Sequence, residues 1–176
     1  VIIATFTYHL TFNFLQRKEA ASLYRESALI SSEYAQNYFS QSITLEELQK
    51  QLTTLSTYLS GEIWIMDTRG NILLNTASSL DDEQKRIKDF DVTDFGNSYY
   101  RVGDFYQTFS SEMLSVFSPI TVNYKVRGYV IIHKPISSLV SSANGLTHIS
   151  YQTLALLFLA AFIVLILFTY VVYIPI

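Results

Sequence analysis

The chain has 176 residues, with 12 Lys and Arg against 15 Asp and Glu, a net charge of −3 and no cysteine. Scattered bases and a slightly acidic balance leave no stripe for nucleic acid, and the lack of thiols removes disulfide frameworks and thiolate zinc sites. All of the charge lies between Arg17 and Lys134, so two uncharged ends flank a middle of ordinary soluble composition.

The first of those ends, VIIATFTYHLTFNFL (Val1 to Leu15), is apolar and aromatic-rich and stops at Gln16-Arg17-Lys18-Glu19. It has no signal-peptide layout and reads as the outer part of a first membrane helix, although Thr5, His9, Thr11 and Asn13 dilute it. From Gln16 to about Ser40 there is no Gly or Pro, and Ala20, Leu23, Ser27, Ile30 and Tyr34 recur at steps of three and four. That spacing predicts a long helix whose seam is either core or a dimer contact.

A second helix is expected over the stripe Leu45, Leu48, Leu52, Leu55 and Leu59, with Thr44 and Glu47 at capping-box spacing and Gly61 as its stop. In GEIWIMDTRGNILLNTA, Gly61 to Ala77, apolar runs on either side of Asp67-Thr68-Arg69-Gly70 predict a β-hairpin. Ser78 to Asp94 is polar and reads as a loop. Asp89, Asp91 and Asp94 lie close enough to suggest a divalent cation, but the regular oxygen-ligand loop with its central Gly is missing. The last third, SYYRVGDFYQTF and EMLSVFSPITVNYKVRGYVIIHKPI, carries strand-like runs with a turn at Asn123 to Arg127. The sum is an α+β fold: an antiparallel sheet of about five strands with a long N-terminal helix and a second helix.

The final strand, Gly128 to Lys134, passes through Pro135-Ile136 into a stretch from Ser137 to Ser150 that can be helical, with Asn144-Gly145 as its one interruption. Leu154 to Ile174 then runs for about 21 uncharged residues, about 31 Å as a helix, which is the thickness of a bilayer's hydrocarbon core. Tyr151, Tyr170 and Tyr173 fit an aromatic belt at its ends.

The order of these parts resembles the extracytoplasmic PAS-like (Cache-type) sensor domains of bacterial membrane receptors, above all sensor histidine kinases. The residues that carry the likeness are the D-x-x-G hairpin at Asp67 and Gly70, the strand entry Ser118-Pro119-Ile120 and the final strand Gly128-Tyr129-Val130. Tyr173-Ile174-Pro175-Ile176 looks like the Y-x-P-I/L opening of a HAMP linker. The resemblance implies a division into residues 1–15, the C-terminal part of a first transmembrane helix; 16–150, the extracytoplasmic sensor domain; 151–174, a second transmembrane helix; and 175–176, the start of the linker.

It further implies a multi-pass protein of the bacterial cell membrane, in contact with lipid and working as a homodimer. The segment itself is non-catalytic and needs no cofactor or metal; ATP and Mg belong to a downstream histidine protein kinase, whose partner is a cytoplasmic response regulator. His9, His133 and His148 lack the acidic-Arg-Pro surroundings of a phosphoacceptor.

In similar domains a small ligand sits between the sheet and the loop above it. Here that position falls on Tyr99, Tyr100, Arg101 and Tyr106, with Tyr129, Ile131 and His133 on one face of the final strand. Arg101 can hold a carboxylate there, or pair with Asp104 or Glu112 at the surface; a partner protein outside is the other class of stimulus. Pro135, Asn144, Gly145 and Pro175 are the expected coupling points between sheet and output. The same input module precedes chemotaxis-receptor coiled coils and cyclic-dinucleotide synthases. A membrane-anchored assembly or adhesion domain is the non-signalling alternative, and no nucleophile, metal cluster or acid–base pair marks an enzyme.

Overall fold

The computed structural model describes residues 2–79, 85–95 and 98–173. The chain divides into two compact units, Phe14–Ser138 and a second made of the segments before and after it.

Helix α1 spans Ile2–Leu29, a π-helical segment spans Ile30–Ala35, and a short helix α2 spans Gln36–Phe39. The expected seam is core: Ala20, Leu23, Ser27 and Ile30 are buried, while Tyr34 is only partly so. The π segment accounts for the shift. Widening the turn brings Ser31 and Ala35 inward in place of Tyr34, and Ser31 Oγ donates to the Pro119 carbonyl at 2.6 Å.

Helix α3, Leu45–Leu59, opens with the predicted capping box: Glu47 N–H donates to Thr44 Oγ1 at 3.2 Å and Thr44 N–H to Glu47 Oε2 at 3.1 Å. Of its five leucines only Leu48 and Leu52 are fully buried; Leu45, Leu55 and Leu59 are half-buried at the margins of the stripe. The left-handed residue that ends the helix is Ser60, φ 52°, and not Gly61 as expected.

Five strands follow: β1 (Glu62–Asp67), β2 (Ile72–Asn75), β3 (Tyr100–Gly103), β4 (Met113–Val122) and β5 (Lys125–Pro135). They form one sheet in the order β2-β1-β5-β4-β3, with every adjacent pair antiparallel. The β1–β2 turn explains its own motif. Asp67 Oδ1 accepts from Arg69 and Asn71 N–H at 2.8 and 2.9 Å, its Oδ2 accepts from Asn71 Nδ2 at 2.6 Å, and Gly70 takes φ 86° where a side chain would be strained. Partial burial pushes the Asp67 carboxyl upward, but the Asn71 and Arg69 hydrogen bonds prevail and hold it below the usual carboxylate range. The β4–β5 hairpin turns on Asn123 and Tyr124, φ 51° and 61°, the paired left-handed residues of a two-residue loop.

Two further motif residues have mechanical reasons. Pro119 lies where β4 has run past the end of β3, so its missing N–H leaves no strand partner unpaired. Gly128 sits between β1 and β4, and a Cβ there would collide with the Met66 carbonyl oxygen and press on Phe39. Among its described residues, the polar stretch between β2 and β3 carries a bridge from Arg86 to Asn71 and a 3-10 turn at Val92–Phe95.

β5 ends at Pro135 and helix α4, Ile136–Tyr173, begins at the next residue. The expected break at Asn144-Gly145 does not occur; α4 runs through both. One glycine costs a helix about 1 kcal/mol, which the turns on either side outvote. Among the described residues α4 is the one helix long and apolar enough to cross a membrane, by length and composition, and its apolar stretch is entirely unburied. Leu156, Phe158, Phe162 and Phe168 point outward accordingly. No other helix among the described residues meets that measure of length and apolarity.

Candidate functional site

Alternation along the strands divides the sheet into two unlike faces. Ile63, Ile65, Leu114, Val116, Val130 and Ile132 point to the face contacted by the π segment and α3. On the opposite face Trp64, Met66, Ile72 and Ile131 form a buried cluster with Ile87, Phe95 and Phe105, and Phe90, Tyr106, Phe109, Phe117 and Tyr129 pack around it. The covering residues come from two irregular stretches, residues 85–95 and the loop after β3.

A polar row crosses this aromatic face. Glu62 on β1 is the register partner of His133 on β5, His133 of Ser115 on β4, and Ser115 of Arg101 on β3. The middle of the row is sealed: His133 and Ser115 are buried, with Ser115 Oγ 2.8 Å from His133 Nδ1. The imidazole lies among three aromatic rings, 4.3 Å from Trp64, 4.5 Å from Phe105 and 4.9 Å from Phe109 between centroids. Its Nε2 has no hydrogen-bond partner. Burial alone lowers its pKa from 6.5 to about 3, so the closed site holds a neutral ring.

The outer end of the row is a clasp. Tyr106 OH donates to Asp94 Oδ2 at 2.8 Å and lies 3.1 Å from the Asp91 carbonyl. Arg101 sits 3.9 Å from Asp94 Oδ2 and stacks over the Tyr106 ring at 5.2 Å. Partial burial, then the bond to Asp94, raises the Tyr106 phenol above its ordinary pKa, and burial raises Tyr129 likewise. Arg101 therefore pairs with neither Asp104 nor Glu112. Strand alternation turns it onto the aromatic face, where the 3-10 turn presents Asp94.

Of the residues singled out from the sequence, Arg101, Tyr106, Tyr129 and His133 share this face. Tyr99 and Tyr100 do not join them: Tyr99 packs on Tyr24 of α1 at 4.7 Å and touches Tyr100 at 5.5 Å. Among the coupling residues, Pro135 closes β5 against Met113, Asn144 and Gly145 lie within α4, and Pro175 falls outside the described residues. Lys134 beside Pro135 donates to Glu19 Oε1 of α1 at 2.6 Å, tying the last strand to the first helix. Among the described residues no group of three His, Asp or Glu is placed to hold a metal ion. Asp94 of the acidic loop is engaged by Tyr106, and Asp91 accepts from Thr93 N–H at 2.8 Å.

Sequence reading missed Trp64, Phe105, Phe109, Ser115 and Glu62, and had Asp94 only as one of three carboxylates near a conceivable cation. The signals were faint but present: period-two alternation pairs Trp64 with Met66, Ser115 is the polar member of an apolar run, and DFYQTF places three aromatics in a stretch with no regular period.

No protein-family model matches this chain, and no curated protein matches it. Solved structures do. The extracellular domain of a histidine kinase, vpHK1S-Z8, superposes with a TM-score of 0.58 at 16% identity over 80% of this chain. A domain of a sensory box/GGDEF family protein from Vibrio parahaemolyticus gives 0.55 at 15% identity over 76%, and the sensor domain of the V. cholerae histidine kinase DctB gives 0.52 at 12% over 77%. The chain spans 60%, 60% and 57% of the lengths of those three structures. The fold is thus the PAS-like (Cache-type) fold of extracytoplasmic sensor domains.

Proposed function

We propose that this chain is the sensing and membrane-signalling part of a bacterial receptor, with the sheet outside the membrane and α4 as its output, most simply feeding a histidine kinase through a HAMP linker. The observation that carries the reading is the wiring of β5. It is hydrogen-bonded to β1 and β4, the two-residue period of the strand places His133 and Tyr129 on the aromatic face, and it passes without a spacer into the one helix among the described residues apolar enough to span a bilayer. A change on that face displaces a strand whose next residue is helical, and a helix transmits displacement along its axis where solvent chemistry cannot follow.

A ligand or partner drives such a receptor only by its preference for one of two states. The segment Val1 to Leu15 acts as the outer part of a first span in this reading, and a homodimer presents two α4 helices to the linker. A cyclic-dinucleotide synthase as output is the second reading, favoured by the likeness to the GGDEF family protein domain.

Because the chain has no native cysteine, single substitutions test the topology cleanly. In intact cells Ser142→Cys is expected to react with a membrane-impermeant maleimide from outside, and Ile176→Cys only after the cells are opened. The opposite pattern overturns the orientation, and labelling of Ile163→Cys in the middle of α4 from outside overturns the span.

A further inference from the structure

The loop from Asp104 to Phe109 is built under strain. Phe105, Tyr106 and Gln107 are consecutive non-glycine residues in the left-handed region, φ 44°, 55° and 59°, a conformation in which the Cβ crowds the following carbonyl oxygen. Two backbone bonds from Thr108 and Phe109 N–H to the Asp104 carbonyl, both 3.1 Å, close the turn. What holds it against the sheet is side-chain contact: Phe105, almost wholly buried, and Phe109 lie on the His133 ring, and Tyr106 reaches the Asp94 clasp. Beneath the loop is a buried nitrogen with nothing to bond. Loop strain and an unpartnered imidazole favour release, and both are offset by the burial of Phe105 and Phe109 against an uncharged ring and by the Tyr106–Asp94 bond.

We propose that the loop Asp104–Phe109 is a proton-operated lid: protonation of His133 expels Phe105 and Phe109 from the aromatic face and opens it to solvent. A cation among Trp64, Phe105 and Phe109 with one hydroxyl neighbour has no route to solvation except by displacing the loop, because Trp64 and Ser115 are fixed in strands while Phe105 is not. The charged and titratable groups around the ring set the balance. Glu62 on β1 is its register partner and favours the cation, though its carboxylate already accepts from Trp64 Nε1 at 3.3 Å. Arg101 on β3, two positions along the row, opposes it. β4 contributes only Ser115. The loop itself adds exposed Asp104 and the Tyr106 phenol, and the 3-10 turn behind it carries Asp94, with Asp91 just before; both carboxylates favour the cation once the clasp parts.

The sign follows from linkage. His133 binds its proton at about 3 when covered and near 6.5 when exposed, so between those values each pH unit downward favours the open lid about tenfold. That opening is a signal only if the sensing role proposed above holds. The lid motion itself is independent of it.

Trp64 is the only tryptophan in the chain and touches His133, Phe105 and Phe109, which makes it the reporter. The full chain in lipid nanodiscs, titrated from pH 8 to 4, should show a quenched, red-shifted Trp64 emission with a midpoint below 6.5. Amide exchange should accelerate within residues 104–109 while far-UV circular dichroism stays constant. His133→Gln should abolish the transition, and Glu62→Gln should leave it in place. An emission that does not change down to pH 4, a transition that survives in His133→Gln or disappears in Glu62→Gln, or loss of far-UV signal at the same midpoint overturns the proposal. Should His133→Gln not fold, Phe105→Ala decides: uncovering the ring should raise the midpoint by about one pH unit, and an unmoved midpoint overturns the lid. Because the readout is the loop, its failure leaves the sensing role standing, and the reverse also holds.

Discussion

The two faces of the sheet are covered to similar depth by different means. On one, aliphatic side chains meet the π segment and α3, regular elements whose backbone bonds are satisfied within themselves. On the other, aromatic rings are covered by stretches with little regular structure, one of them left-handed, over a buried histidine lacking a partner for one nitrogen. Area removed from water stabilises both faces. Only the second can lose its cover without unfolding the sheet, because no strand or helix has to break for Phe105 to leave. The proposed sensing role requires such a division: a face that stays, so that the strands keep their register, and a face that answers.

The largest expected effect concerns the route out of that answering face. A two-residue Gly-Ser insertion after Ser142 in α4 rotates everything beyond it by about 200° at 3.6 residues per turn. Folding and insertion should survive, as judged by protease resistance, while downstream phosphorylation becomes independent of stimulus, fixed on or off. A normal response would mean that register in α4 carries nothing.

Next is the depth of the aliphatic face. Leu52→Ala leaves a cavity beneath elements that cannot withdraw, so chemical denaturation in micelles followed by Trp64 should show a loss of about 2–5 kcal/mol. Phe105→Ala removes a larger ring, yet its cost should be smaller than that of Leu52→Ala, because it is capped by the free energy of opening the loop. If Phe105→Ala proves the costlier change, the two faces are equally rigid and the contrast fails.

The pH dependence separates the faces again. His133 has a depressed folded-state pKa, so its neutral form is stabilised in the native state. Above 6.5 that stability is fully present, and it is lost as pH falls below 6.5, at up to about 1.4 kcal/mol per pH unit, for as long as the ring stays covered, the covered ring binding its proton only at about 3. The unfolding free energy of the wild type should therefore fall more steeply between pH 6.5 and 4.5 than that of His133→Gln. Parallel slopes would show that the ring is solvated in the native state.

The smallest effect is at the clasp. Tyr106→Phe removes the hydroxyl that bonds Asp94 at a partly exposed position, and should cost about 0.5–1.5 kcal/mol of loop protection, read as faster amide exchange in residues 104–109 with global stability little changed. Slower exchange would mean that Tyr106 props the loop open.

Local chemistry was legible in the amino-acid order wherever the deciding partners are neighbours in the chain. The Thr44–Glu47 box, the Asp67-to-Gly70 turn and the turn expected from Asn123 to Arg127, which the structure narrows to Asn123 and Tyr124, each depend on residues within about five positions, and the apolar run of α4 is continuous in the chain, so spacing alone identified them. The placement of Tyr129, Ile131 and His133 on one face followed from the two-residue period of a strand. Tertiary packing decided the rest. Whether Ala20 to Ile30 meets core or a second chain, and the π segment that exchanges Tyr34 for Ser31 and Ala35, depend on a carbonyl 88 residues away at Pro119. Arg101 found Asp94 through the sheet's registry, Gly128 was required by the backbone of β1, and Asn144-Gly145 stayed helical because the turns around it outweigh one glycine. The site itself belongs to this second class. His133, Ser115 and Glu62 come from three strands, and Phe105 covers His133 from a loop; a charge or ring has no fixed energetic meaning until the chain has folded and its surroundings in space determine whether water can reach it.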